Sequence, residues 1–380
     1  MTTQIPCSKG STLPPGIACP QGARLRTRGP PRGGRVRRCA RSPPPARVLD
    51  VARAQAGLIT TAQCEAAGMT RTRLARMARQ GRWVRVAPSV YDTDPVPVEH
   101  RERPDLFDHR RRWSAWRAVL ALGPSAMPVG QSALVFHGVR GLPVRITPEA
   151  SLPGAARLQP DVAVVRQYDP ATPTKLVAGR RVPTVLHALA QAVPTLDRRH
   201  AVAVLDDAVH QGLITRAQVE QAHDLARGRR GVERTHAWWQ LVDGRAESPL
   251  ETAVRLECID ADVPPDDLQR VLVDDRGTFL GRGDMVWRLP DGRWFWLEAD
   301  GSEVHSSPAA LYEDRRRQNA LVADGGVVMQ RVTGRDLYGP VGLGHQIAAR
   351  LRNLGWVPGQ PLPQQPSTLR ARDPYRSTGV

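Results

Sequence analysis

The chain has 380 residues, an apolar fraction of 41% and a formal net charge of +17. That length supports two or three domains with separate cores, and the apolar content excludes a wholly disordered protein. No apolar run is long enough for a membrane span, and the N-terminal stretch lacks the compact hydrophobic segment of a secretory signal. Five cysteines stand at 7, 19, 39, 64 and 258, without zinc-ligand spacing. An odd, scattered set predicts reduced thiols in a cytoplasmic protein rather than a disulfide framework.

Residues 1–47 hold Lys9, nine arginines and no acid, so ten of the seventeen net charges sit there. The stretch is rich in Pro and Gly and has no hydrophobic period, which predicts a disordered basic tail over 1–46. Two readings of it stay open: a tether that holds polyanions by counterion release, or upstream sequence added by a mis-assigned start. Lysine occurs only at 9 and 175. A GC-rich genome explains that arginine bias better than selection for phosphate-binding forks.

A first ordered domain is expected over 47–98, beginning near Val48. Val48, Val51 and Ala52 open a short amphipathic helix that Gly57 ends. Thr60 with Gln63 forms a capping box for a second helix, stopped at Gly68. Thr70 caps a third, running to Gln80, in which Arg71, Arg73, Arg76 and Arg79 surround Leu74 and Met77. Trp83–Val86 and Val90–Tyr91 then form a hairpin across Ala87-Pro88-Ser89. Three short helices and a hairpin make a winged helix-turn-helix. Arg71, Arg73 and Arg76 lie where a recognition helix faces the major groove, and Arg82 and Arg85 on the wing could reach phosphates. The competing reading is a solvated arginine face with no ligand.

The residues Gly57-Leu58-Ile59-Thr60, Gly68-Met69-Thr70, Gly81-Arg82-Trp83-Val84-Arg85 and Val90-Tyr91 resemble the N-terminal winged helix of AbiEi-family antitoxins. The resemblance implies promoter DNA binding, autoregulation and a cognate toxin protein as partner.

A Pro-rich, acidic linker is expected from Asp92 to about Pro104, leading into a mostly helical middle region over 99–240. There Trp113, Trp116 and Leu120 share a helix face, and Gln131 to His137 form a short helix. Leu186, Leu189, Ala190 and Val193 make an apolar stripe, as do Ala201, Leu205, Ala208 and Val209. Thr215 with Gln218 repeats the capping box of Thr60 with Gln63. Asp206-Asp207 and His210 read as solvated groups on a surface helix, and Arg227 to Arg230 as a basic connecting loop. Ser132-Ala133 through His137-Gly138 also weakly resembles the middle part of AbiEi-like proteins.

From 246 to 355 the pattern becomes helix, three strands, helix, strand, followed by a tail over 356–380 expected to be disordered. Ser248 caps a helix with Pro249 in its first turn and Glu251 three residues on. Strands are expected at Leu268–Val273, Asp284–Arg288, Trp294–Leu297 and Val327–Val332, with Asp291-Gly292 as the turn between the middle pair. Asp284 and Glu298, with Glu251 from the helix, are hard oxygen donors that could converge on a divalent ion, which would activate water against a phosphodiester. Glu298 and Asp300 are two apart and share a strand face. Asp314 and Arg317 lie on one helix face and read as an ion pair. Each acid also has a plain structural reading: a cap for Glu251, turns for Asp284 and Asp300, a surface loop for His305.

The run Ser248-Pro249-Leu250-Glu251, Gly281-Arg282-Gly283-Asp284-Met285-Val286-Trp287, Leu297-Glu298-Ala299-Asp300-Gly301, His305-Ser306-Ser307, Asp314-Arg315-Arg316-Arg317 and Gln330-Arg331-Val332-Thr333 resembles the very-short-patch-repair branch of the PD-(D/E)XK nucleases. It implies a restriction-endonuclease-like α/β core in an α/β protein. Asp284 and Glu298 become ligands of Mg²⁺ or Mn²⁺, and Glu251 a supporting acid. Asp300 stands where many members carry lysine, and His305 is then the candidate general acid or base. The expectation is a protein that binds double-stranded DNA and cleaves it in defence, repair or mobile-element biology. The alternative is a regulator or AbiEi-type antitoxin with an inactive nuclease fold. An RNA-directed nuclease is a third reading, weakened by the lack of an aromatic stacking platform.

Overall fold

A computed structural model describes residues 43–152, 162–166, 169, 171–273, 279–301, 326–359 and 370–372. Over these residues the protein is mixed α/β. The N-terminal described segment contains α1 (Ala46–Ala54), β1 (Leu58–Thr60), α2 (Thr61–Ala66), α3 (Arg71–Arg79), β2 (Val84–Ala87) and β3 (Val90–Asp92). Thr60 and Gln63 form the capping box, and Thr70 Oγ1 accepts the Arg73 amide at 3.3 Å. The left-handed turn at Gly57 releases β1, which pairs with β3 and completes a β1-β3-β2 sheet. Val48, Ile59, Leu74, Met77 and Trp83 form its core.

The segment after β3 is a packed strap rather than a loose linker. Asp92 is buried and accepts from Arg101 Nη2 at 2.5 Å and from Trp113 Nε1 at 2.6 Å. A charge removed from water must find such partners, and they fix the strap against α4 (Leu106–Ala121). Leu58 and Val90 of the wing sheet pack with Trp116, Val119 and Leu120 of the same helix.

The middle region is not purely helical. Between α4 and the later helices lie β4 (Met127–Pro128), α5 (Gly130–Phe136), β5 (Glu149–Ser151), β6 (Val164–Arg166), β7 (Thr174–Val177) and β8 (Arg180–Pro183). They form a β4-β5-β6 sheet and a β7-β8 hairpin. None of these strands exceeds 4 residues, too short for period-two alternation to register in sequence. The helices α6 (Val185–Ala192), α7 (Arg198–His210) and α8 (Arg216–Ala226) enclose the largest apolar cluster. The Thr215–Gln218 capping box starts α8.

The C-terminal part of the chain opens with α9 (Pro249–Asp260), capped by Ser248, whose Oγ accepts the Glu251 amide at 3.2 Å. Strands β9 (Asp267–Val273), β10 (Phe279–Arg288) and β11 (Trp294–Asp300) form an antiparallel meander, and β12 (Val327–Thr333) adds in parallel to β11. Gly292 at φ +87° makes the β10–β11 turn. The helix α10 (Leu343–Asn353) and α9 cover one sheet face through Val254, Cys258, Ile347 and Leu351, which meet Met285, Trp287, Phe295 and Leu297. Trp294, Trp296 and Val286 turn to the other face. Burial on both faces explains the near-continuous apolar run 294–297. The tail expected to be disordered contributes β13 (Arg370–Arg372), paired with β9. Cys64 and Cys258 are buried free thiols.

Asp206 and Asp207 of α7 are buried, not solvated. Asp206 accepts from Arg255 Nη2 at 2.7 Å, Thr252 Oγ1 at 2.8 Å and the Asp243 amide at 2.7 Å. Asp207 holds Arg140 at 2.6 Å. Asp206 thus joins α7 to α9. Removing one partner of a buried pair strands the other charge, so Arg255→Ala should destabilise by about 3–5 kcal/mol in chemical denaturation. A loss below about 1 kcal/mol, the range of exposed pairs, would reject that role.

Candidate functional site

On α3 the helical phase turns Leu74 and Met77 inward, leaving Arg76 and Arg79 exposed one turn apart, beside Thr72 and Ala75. Arg71 lies on the flank and is tied to Glu65 of α2 at 2.5 Å, which lowers the Glu65 pKa. Arg73 is only half exposed. The exposed basic face therefore centres on Arg76 and Arg79, further along the helix than the N-terminal set of 71, 73 and 76. The 76/79 spacing was readable as an i,i+3 pair. Arg85 is exposed on β2 and Arg82 half-buried just before it.

The second constellation lies in the C-terminal sheet. A Cβ on Gly283 would come within 2.9 Å of Trp296, so the backbone beside Asp284 packs closely against β11. There Gln269 Nε2 donates to Glu251 Oε2 at 2.8 Å and to Asp284 Oδ1 at 3.3 Å. Gln269 has φ +54°, a left-handed conformation that costs a non-glycine residue about 1–3 kcal/mol and clusters at functional sites. Its Oε1 is buried without a hydrogen-bond partner. Sequence reasoning passed over Gln269, because a single glutamine inside a strand forms no motif. Glu251 is more than a cap: its Oε2 also accepts the Glu247 amide at 2.8 Å. Burial, and then the charge of Asp284, push Glu251 up to about 7. Burial likewise raises Asp284, against the opposing bond from the Ala299 amide at 2.9 Å.

Of the two expected metal ligands, Asp284 shares Gln269 with the supporting acid Glu251, and Glu298 is engaged by Arg331. Leu297 and Ala299 pack on the α9 side, so strand alternation sends Glu298 and Asp300 to the opposite face. Arg331 on β12 engages Glu298 at 3.1 Å and Asp300 at 3.7 Å. No group of three or more His, Cys, Asp or Glu residues positioned for a metal occurs among the described residues. Glu251 and Asp284, with the free Oε1 of Gln269, nonetheless supply hard oxygens suited to Mg²⁺ or Mn²⁺. His305, Asp314 and Arg317 lie outside the described residues. No described helix is long and apolar enough to cross a membrane.

A Glu251 pKa of about 7 has a definite stability consequence. The folded state holds a proton that the unfolded chain releases near its ordinary 4.5. Stability should therefore fall as pH rises between those values. Glu251→Gln should flatten that slope and gain about 1–3 kcal/mol at pH 8 over wild type, with little change at pH 4. Thermal melts across pH test this, and parallel curves for the two proteins would refute it.

Among known families, residues 46–91 match the model described as "Transcriptional regulator, AbiEi antitoxin". The chain is also similar to two uncharacterized proteins of Mycobacterium tuberculosis, from strains CDC 1551 / Oshkosh and H37Rv. Each is 28% identical over 255 residues, covering 66% of this chain and 85% of the relative. The N-terminal winged helix is thus an AbiEi-antitoxin-like regulator domain.

Proposed function

We propose that the protein is a DNA-binding transcriptional regulator of the antitoxin type. The observation that carries this reading is the exposed guanidinium face of α3, in a winged helix matched over its whole length by a regulator family. Arg76 and Arg79 enter the major groove or pair with its phosphates, and Arg85 holds the backbone from the wing. Double-stranded DNA is the ligand, and a protein toxin is the partner this reading implies. Fluorescence anisotropy on the protein's own upstream DNA tests it. Arg76→Glu with Arg79→Glu should weaken binding at least tenfold. Neutral replacements should lower the salt slope by about 0.9 for each phosphate no longer neutralised. Unchanged affinity in the charge-reversed variant would remove α3 from the interface.

A second reading is favoured by one observation, the strained Gln269 between the buried Glu251 and the half-buried Asp284. It is metal-dependent cleavage of DNA, with Glu251, Asp284 and the Gln269 Oε1 as the residues that would hold Mg²⁺ or Mn²⁺. The ion would supply charge neutralisation and an activated water. This chain's own contribution is to position the two carboxylates, while Arg331 engages Glu298 and Asp300. The domain contains no lysine for the usual general-base position. Plasmid nicking with Mg²⁺ or Mn²⁺, present in wild type and lost in Asp284→Asn, would establish this reading. DNA binding without nicking would leave the fold as a binding module.

A further inference from the structure

A cavity of about 530 Å³ lies in the middle region, walled by the start of α5, by β5, β6 and α6, and by the loop 229–231. Its size is that of a small-molecule site. Arg166, Arg229, Arg230 and Arg234 line it, and Glu149 is the one acid among the described lining residues. Glu149 is buried and already committed: its Oε1 accepts from Arg166 at 2.8 Å and its Oε2 from the Gln131 amide at 3.2 Å. Arg234 is braced by the carbonyls of Pro194 and Leu196, at 3.3 and 2.8 Å, and lies over Trp238. Among the described lining residues, four guanidinium groups share a concave site with one carboxylate.

The decisive group is Gln191. It is 7% exposed, and its Oε1 accepts the Gly130 amide at 2.8 Å. That bond fixes the amide orientation, because a flipped amide would set two donors against each other. Nε2 is left buried in the cavity lining with no hydrogen-bond partner. A buried donor without an acceptor costs about 1–3 kcal/mol, and such a group in a folded protein calls for an explanation. Gly130, at φ +53°, is the residue that permits this packing, since a Cβ there would lie 2.0 Å from Glu149 Oε2.

We propose that this cavity binds a small phosphorylated molecule of nucleotide size, with Gln191 Nε2 donating to a phosphate oxygen and the arginines neutralising its charge. Guanidinium forks match phosphate oxygens in pairs. The concavity favours a discrete ligand over a DNA backbone, which would need an open groove. Such a ligand would make the regulator responsive to a metabolite, independently of the α3 face.

The test uses the full chain in EDTA, with pyrophosphate, ATP and inorganic phosphate as probes and sodium chloride at matched ionic strength as control. Thermal shift and calorimetry should show saturable binding of pyrophosphate or ATP that chloride does not reproduce. Inorganic phosphate binding as tightly as ATP would reduce the ligand to a free phosphate and overturn the nucleotide-sized assignment. Arg230→Glu, at an exposed position that leaves folding intact, should weaken binding at least tenfold, and Gln191→Met should weaken it further. No saturable response to any phosphate probe would overturn the proposal, as would equal binding by Arg230→Glu. If Arg230→Glu lowers DNA affinity while the small anions have no effect, these arginines belong to the DNA surface and the proposal fails. Arg76→Glu with Arg79→Glu should leave the phosphate response intact, which separates this site from the proposed DNA interface.

Discussion

Asp206 is a carboxylate taken out of water where α7 meets α9, and three donors converge on it. Burial pushes its pKa up to about 6 even beside Arg255. Desolvation and pairing nearly cancel for such a group, so its contribution is registry more than net stability. Only one placement of α9 on α7 satisfies the aspartate, and α9 carries Glu251. The position of the acidic pair in the C-terminal sheet therefore follows from a bond made in the middle region. Arg140, held by Asp207 and reaching the Glu247 carbonyl at 3.0 Å, reinforces the same junction.

A similar device joins the winged helix to the middle region. Asp92 ends β3, and its bonds to Arg101 and Trp113 lock the following strap onto α4. The wing sheet consequently has one face on α4, while Arg76 and Arg79 of α3 are exposed. Burial also holds His109, which contacts Arg101 at 2.9 Å, down at about 4, so it stays neutral at physiological pH. Both junctions use buried arginine–aspartate pairs flanked by neutral donors. An arginine-rich chain can build its joints this way because guanidinium offers several hydrogen bonds while remaining charged.

The acidic pair and the arginine-lined cavity each hold a glutamine with an unanswered buried atom. In the joints every buried polar atom of the aspartates is answered. At Gln269 Oε1 and Gln191 Nε2 one atom is not, and at Gln269 the backbone is strained as well. Unanswered groups beside carboxylates suit a cation, and those among arginines suit an anion. That contrast of charge is why the two sites are assigned opposite ligands.

Much of the architecture was legible from local chemistry. Thr60, Thr70, Thr215 and Ser248 announced four helix starts because a capping side chain bonds amides three residues away and needs nothing distant. The C-terminal strands stood out through long apolar runs and the Asp291-Gly292 turn, and the order of three helices and a hairpin pointed to a winged helix. What the sequence by itself could not determine was which charges would be buried and what they would meet. Asp206 and Asp207 read as solvated because helical phase says nothing about the neighbour on the outer face. The bond from Arg331 on β12 to Glu298 was likewise unreadable from either position. Contacts such as Glu298 to Arg331 and Asp206 to Arg255 join residues 33 and 49 positions apart. Only the tertiary structure decides them, because a charge's environment is set by whatever the fold packs against it.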